Sequence, residues 1–256
     1  MTRIVGVIPA RMGSTRFPGK PLAAIHGLTM LEHVYRRSQA CALIDDVIIA
    51  TCDDAIARTA ESFGARVART SISHDRASDR VAEATAREPA DVVVMIQGDE
   101  PLIRPEMIET AVAAMLREPS VGCVNLASII HSEREVRDPN TIKVVMTRDR
   151  RALYFSRQPI PDCGPRPFAK GLFLKQVCVI PFRREALASF ATLPRGPLED
   201  LESIDMLRFL ENGLPVHIVT TAIQTHAVDV PGDVAVVETL MSQNPWSATE
   251  PGTGTA

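Results

Sequence analysis

Residues 9–21 read Pro-Ala-Arg-Met-Gly-Ser-Thr-Arg-Phe-Pro-Gly-Lys-Pro, which gathers two arginines, a lysine, two hydroxyls and two glycines directly after an apolar run at 4–8. Such a strand-to-helix turn suits a polyphosphate: glycine lets backbone N–H groups approach an anion, and Arg11, Arg16 and Lys20 supply charge-assisted donors. A solvated basic loop has the same composition, so this stretch alone leaves both readings open. The spacing is neither a Walker A loop, because Pro21 follows Lys20, nor a G-x-G-x-x-G fingerprint. Further on, the β-branched run 91–96 reads as a buried parallel strand ending in Gln97-Gly98-Asp99-Glu100-Pro101. Ligands of open α/β sheets bind beyond the carboxyl ends of strands, which puts Asp99 where a phosphate-bound magnesium would sit. A turn or helix-cap aspartate is the other reading of Asp99.

More motifs follow in order: Asp138-Pro139-Asn140, then Ile142-Lys143-Val144-Val145, then Ala152 to Arg157 with Pro159-Ile160-Pro161, then Pro197-Leu198-Glu199 with Glu202 and Leu207-Arg208, and finally Val228-Asp229-Val230-Pro231. Taken together the series resembles the cytidylyltransferases that make CMP-activated 3-deoxy-manno-octulosonate (KDO), the CMP-KDO synthetases, over roughly residues 3–240. The resemblance implies Asp99 and Asp229 as ligands of Mg2+, the one cofactor expected, with Lys20 joining them as the catalytic group. It implies a nucleotide site of Pro9, Ala10, Arg11, Ser14 and Lys20, with Arg80, Gln97 and Gly98 reading the cytosine of CTP. On the acceptor side it points to Asn140, Lys143, Arg157, Gln176, Glu199 and Glu202. It also implies a homodimer.

The chain departs from the family in two places. Beside the base, Arg76-Ala77 and Ser78-Asp79 replace a Ser-Gly and a Thr-Glu pair. On the acceptor side, Gln176 and Ile180 stand where the family has a His and a Tyr that help hold the sugar acid, while Arg166, Lys170, Lys175, Arg183 and Arg184 add positive charge. A site is specific through its paired polar groups, so loss of two such groups costs sugar affinity. On this reading the acceptor is a small anion, narrowly a phosphonate such as phosphonoformate, with KDO as the alternative. A catalytically idle nucleotide sensor and a nucleotidyltransferase for another base are the remaining readings; retention of Asp99, Asp229 and Lys20 disfavours the sensor.

The elements that must position these residues alternate. Strand-like runs fall at 3–8, 46–50, 65–68, 91–96, 122–128, 143–146, 177–181 and 215–220, and helix-like runs at 30–39, 54–63, 78–88, 105–118, 184–193 and 198–212. The pattern predicts an α/β fold: a Rossmann-like, mostly parallel sheet with helices on both faces. Residues 1–241 read as a single nucleotidyltransferase domain. Within it, 132–176 is a Pro-rich excursion, a smaller inserted lobe for dimerisation and active-site closure, and 242–256 is a disordered tail. With 256 residues, a formal charge of -3 and no long apolar run, the composition excludes nucleic-acid and membrane partners and suits a cytoplasmic protein. Five scattered cysteines imply neither a disulfide framework nor a zinc site.

Overall fold

The computed structural model describes residues 2–162, 164, 168 and 171–246, and the chain forms two compact units, 1–109 with 225–256, and 110–224. In the first unit, strand β1 (Ile4–Ala10) is buried along its whole length, as a central parallel strand covered on both faces must be. It runs parallel to β4 (Asp46–Thr51) on one side and β6 (Val92–Ile96) on the other, and β5 (Arg66–Arg69) extends the sheet beyond β4. The short strands β2 (Ala24–Ile25) and β3 (Leu28–Thr29) pair as a hairpin.

Helices α1 (Met30–Gln39), α2 (Asp54–Ser62) and α3 (Ala77–Thr85) connect these strands, and α4 (Pro105–Arg117) leads out of the unit. Helix α1 starts where Thr29 Oγ1 accepts the Glu32 N–H at 3.2 Å, with Glu32 itself in the first turn, so cap and dipole agree on the boundary.

The second unit carries a five-stranded sheet of β7 (Val124–Ile129), β8 (Lys143–Met146), β9 (Ala152–Ser156), β10 (Leu174–Val177) and β12 (His217–Thr221), in the order β12-β7-β10-β8-β9. Only β12 and β7 are parallel there. Strand β11 (Val179–Arg183) lies beside the segment leading into β7, with Phe182 bridging Cys123. Helices α5 (Glu133–Arg137), α6 (Arg184–Thr192), α7 (Pro197–Glu202) and α8 (Met206–Glu211) complete the unit.

The chain then returns to the first unit as α9 (Gly232–Gln243), where Val237 and Met241 join Ile25, Met30 and Val228 in one buried cluster. Beyond it, the Trp246 ring covers the guanidinium of buried Arg37 at 4.6 Å.

The mixed α/β fold with parallel strands flanked by helices is the one expected, with differences in detail. The run 198–212 is two helices, because Ser203 adopts a left-handed backbone at φ 53. The run 177–181 is likewise split at Cys178 between β10 and β11. The stretch 132–176 supplies three strands of a sheet, and helix runs through Gln243, past the start of the expected tail. Residues 247–256, and with them most of that tail, lie outside the described residues, as do Arg166 and Lys170. Among the described residues no helix is long and apolar enough to cross a membrane.

Candidate active site

The carboxyl ends of β1 and β6 carry the polar loops of the first unit. Pro9 and Ala10 finish β1, and the chain turns back on itself at Met12, whose carbonyl accepts the N–H groups of Ser14 (2.8 Å) and Gly19 (3.2 Å). Gly19 is left-handed at φ 74, which permits the turn into Lys20. Ser14 Oγ accepts the Phe17 N–H at 3.3 Å, and Arg11 is exposed. After β6 come Gln97 and Gly98. A Cβ at position 98 would stand 3.3 Å from the Pro9 carbonyl oxygen and 3.4 Å from Ile8 Cγ2, so glycine there lets the ends of β6 and β1 lie close together.

Lys20 joins three segments distant in sequence. Its ammonium lies 2.7 Å from Asp99 Oδ2, 2.8 Å from the Val228 carbonyl oxygen and 3.9 Å from Asp229 Oδ1, and Arg16 holds Asp229 Oδ1 at 2.7 Å. The Val228 N–H donates to the Asp99 carbonyl at 2.9 Å, and Asp233 accepts the N–H groups of Asp229 (2.7 Å) and Val230 (2.9 Å), fixing the second carboxylate. Burial, helped by the neighbouring Asp99 carboxylate and only partly offset by Lys20 and Arg16, raises the Asp229 carboxyl above the usual carboxylate range.

Two such carboxylates suit a hard divalent cation. Among the described residues no group of three or more His, Cys, Asp or Glu side chains could hold a metal. Mg2+ commonly takes one or two carboxylates and completes its shell with phosphate oxygens and water, so this donor set fits it.

Other residues of the unit support these. Asp53 stands at the N-cap of α2 yet makes no cap; its carboxylate accepts the Met12 N–H at 2.8 Å and so anchors the basic loop. Buried Glu100 accepts the Thr225 hydroxyl at 2.6 Å. The only sequence signal for Asp53 was an acid at a helix start; Glu100 stood in the Gln97–Pro101 motif without a role of its own, and Thr225 carried no signal. Arg80 is buried, and its guanidinium donates to Thr70 Oγ1 and to the carbonyls of Ser71 and His74, both at 3.3 Å.

The second unit holds the residues expected on the acceptor side. Lys143 is completely buried, and its ammonium donates to the carbonyls of Asp138 (3.0 Å), Thr141 (2.6 Å) and Arg157. Burial pulls it down to about 8. The Arg157 side chain donates to the carbonyls of Glu202 (2.7 Å), Pro139 (3.0 Å) and Ser203 (3.4 Å). The Glu202 carboxylate accepts the Ser156 hydroxyl (2.7 Å) and the Arg157 N–H (2.9 Å), and the Asn140 N–H donates to Asp138 Oδ1 at 2.8 Å.

Glu199 is wholly buried in a two-bond pair with Arg208, each bond 2.8 Å, and Arg208 lies over the Phe190 ring at 4.1 Å. Gln176 donates to Asn125 Oδ1 at 2.6 Å, a partner the sequence did not suggest. Ile180, aligned with the family's acceptor-side Tyr, is a buried core residue of β11. Two of the surplus cations are engaged as well: Lys175 pairs with Glu135 at 2.6 Å, and Arg183 donates to the carbonyls of Met115 (2.9 Å) and Val121 (3.1 Å).

Comparison with known proteins identifies the family. The cytidylyltransferase family model matches residues 5–222. A 3-deoxy-manno-octulosonate cytidylyltransferase of Geobacter metallireducens is 43% identical over 248 residues, covering 93% of this chain and 98% of the relative. The protein of that name from Solibacter usitatus is 45% identical over 238 residues, covering 93% and 94%. A solved CMP:2-keto-3-deoxy-manno-octonic acid synthetase complexed with CTP is 37% identical with a TM-score of 0.86, over 94% of this chain and 99% of that one. A cytidylyltransferase from Leptospira borgpetersenii, 18% identical with a TM-score of 0.65, covers 98% and 90% and shares the fold.

Proposed function

This chain belongs to the 3-deoxy-manno-octulosonate cytidylyltransferase family, a family of CTP-using nucleotidyltransferases, and on that premise we propose that it transfers CMP from CTP to 3-deoxy-manno-octulosonate or a close sugar acid, with Mg2+ and release of pyrophosphate. The observation that carries the reading is the meeting of Lys20, Arg16, Asp99 and Asp229 at the ends of parallel strands.

Nucleotidyl transfer asks little covalent chemistry of a protein. An acceptor oxygen must be held in line with the α-phosphorus, and the negative charge that builds on the leaving pyrophosphate must be met by cations. Asp99 and Asp229 would hold the Mg2+, which when bound supplies charge neutralisation and orients phosphoryl oxygens. Lys20 and Arg16 exchange part of their carboxylate pairing for phosphate oxygens, and Arg11, Ser14 and the backbone of 9–14 hold the rest of the polyphosphate. Gln97 and Gly98 belong to the base side.

The sugar acid is favoured over a phosphonate on two grounds. The relatives named above carry that acceptor in their names. Of the three described cations that sequence reading assigned to a small anion, Lys175, Arg183 and Arg184, the first two are engaged with Glu135 and with backbone carbonyls. Lys143, Arg157 and Glu199 act as positioning residues within the second unit; Asn140, Gln176 and Glu202 remain the acceptor contacts in this reading.

The homodimer is also proposed. Its support is in the second unit, where β9 is an edge strand with Leu153 60% exposed and Leu201 on α7 is 83% exposed. Light scattering on the purified protein tests the dimer, which a monomeric mass would refute. For the reaction, the protein is incubated with CTP, Mg2+ and either KDO or phosphonoformate, and pyrophosphate release is followed. KDO should support the faster rate; release with phosphonoformate alone would return the acceptor to the phosphonate.

A further inference from the structure

The loop 70–76 leaves the carboxyl end of β5, on the edge where the polyphosphate residues of the first unit gather, and leads into α3. Two side chains one helical turn apart on α3 fasten it. Arg80, 3% exposed, donates to Thr70 Oγ1 and to the carbonyls of Ser71 and His74. Glu83 accepts the Ser71 N–H at 2.8 Å and meets His74 Nε2 at 2.5 Å, contacts that hold its carboxyl below the usual range. Residues three apart on a helix share a face, so the arginine takes the carbonyls of the loop and the glutamate its N–H and imidazole. Thr70 is tied in addition to β4 through its N–H and the Thr51 carbonyl at 3.1 Å. The loop so held carries Ile72 at 85% exposure. A helix that devotes a buried guanidinium and a carboxylate to one exposed loop of seven residues is holding that loop in a single shape.

We propose that Arg80 and Glu83 are a clasp of positioning residues, which fix loop 70–76 as a wall of the base pocket and thereby set the preference for CTP over other nucleoside triphosphates. The guanidinium that sequence reading aimed at the cytosine acts through the loop. The inference rests on the reading of the first unit as the CTP site. A loop free to shift by about an ångström loses much of the discrimination that a fixed pocket provides, because preorganised geometry is what separates close analogues.

The test uses Glu83→Ala and Glu83→Gln in the full chain. Hydrogen exchange at 70–76 reads the clasp without any nucleotide, and steady-state kinetics with CTP and with UTP read its effect. In Glu83→Ala, exchange at these residues should rise, the KM for CTP should rise by about tenfold with a smaller change in kcat, and the ratio of kcat/KM for CTP to that for UTP should fall. Glu83→Gln keeps an oxygen for the Ser71 N–H and should recover most of each effect. Unchanged exchange in Glu83→Ala overturns the clasp whatever the kinetics. Raised exchange with an unaltered CTP/UTP ratio overturns its part in base selection, and an unmodified protein that does not turn over CTP at all overturns the underlying reading together with that part.

Discussion

At the scale of single residues, Asp229 shows what the site costs the fold. Its carboxyl is raised chiefly by burial and next by Asp99, so between its unfolded and folded values the native state binds more protons than the unfolded chain. The stability from this group is therefore present at low pH and lost as pH rises through the folded value. Ionising this group in the metal-free protein therefore costs the folded state more than the unfolded chain, even with Lys20 and Arg16 beside it. Asp229→Asn should accordingly raise the metal-free melting temperature while reducing turnover by on the order of a hundredfold, since on the proposed reading it removes an anionic ligand of the Mg2+ that would meet the pyrophosphate. Calorimetry without metal and pyrophosphate release with Mg2+ check the two halves, and near-native turnover would remove Asp229 from the metal site. The sequence displayed Lys20, Asp99 and Asp229 because each follows a strand or turn that advertises itself. It hid Asp53 and Glu83, whose work is to satisfy the backbone of loops distant or looped back in space.

Elements carry the next level. Asp53 leaves the N-cap of α2 without its side-chain hydrogen bond, a bond commonly worth about 1 kcal/mol, and holds Met12 instead. Asp53→Ala should raise the KM for CTP several-fold, and Asp53→Asn, which still offers an oxygen, should restore most of it; kinetics on both variants decide, and equal values for Ala and the parent would leave the loop anchored by other means. In the second unit, Glu199 and Arg208 join α7 to α8 as a buried pair. Removing one partner of such a pair leaves an uncompensated buried charge, at about 3–5 kcal/mol. Urea unfolding of Glu199→Ala should show a loss of that order, whereas an acceptor contact would show chiefly as a raised KM for the sugar acid. The boundaries of α1 were legible because Thr29 and Glu32 mark the start. The break between α7 and α8 was not, since the apolar spacing runs on past Ser203 and only its left-handed backbone interrupts the helix.

On the scale of the whole molecule, the βαβ alternation announced the parallel sheet of the first unit, but the mixed, mostly antiparallel sheet of the second was hidden under prolines and turns. Pairing between distant strands leaves little trace in either one alone. The first unit draws on both parts of the chain: α9 packs Val237 and Met241 against Ile25 and Met30, and Trp246 covers Arg37. A cation over an indole contributes about 0.5–2 kcal/mol, so Trp246→Ala should lower the melting temperature by about 1–8 °C for a chain of this size; an unchanged melting curve would show that the contact adds nothing. A discontinuous unit also has a history during synthesis. When the ribosome has delivered residues 1–224, Lys20 and Asp99 have been made but Val228 and Asp229 have not, and Ile25 and Met30 lack the apolar helix that will cover them. The cluster of Lys20, Asp99 and Asp229 thus closes only once residue 229 has been made, with α9 and Trp246 still to follow, and on the proposed reading a product interrupted before Asp229 has only one of the two Mg2+ carboxylates and should not turn over CTP.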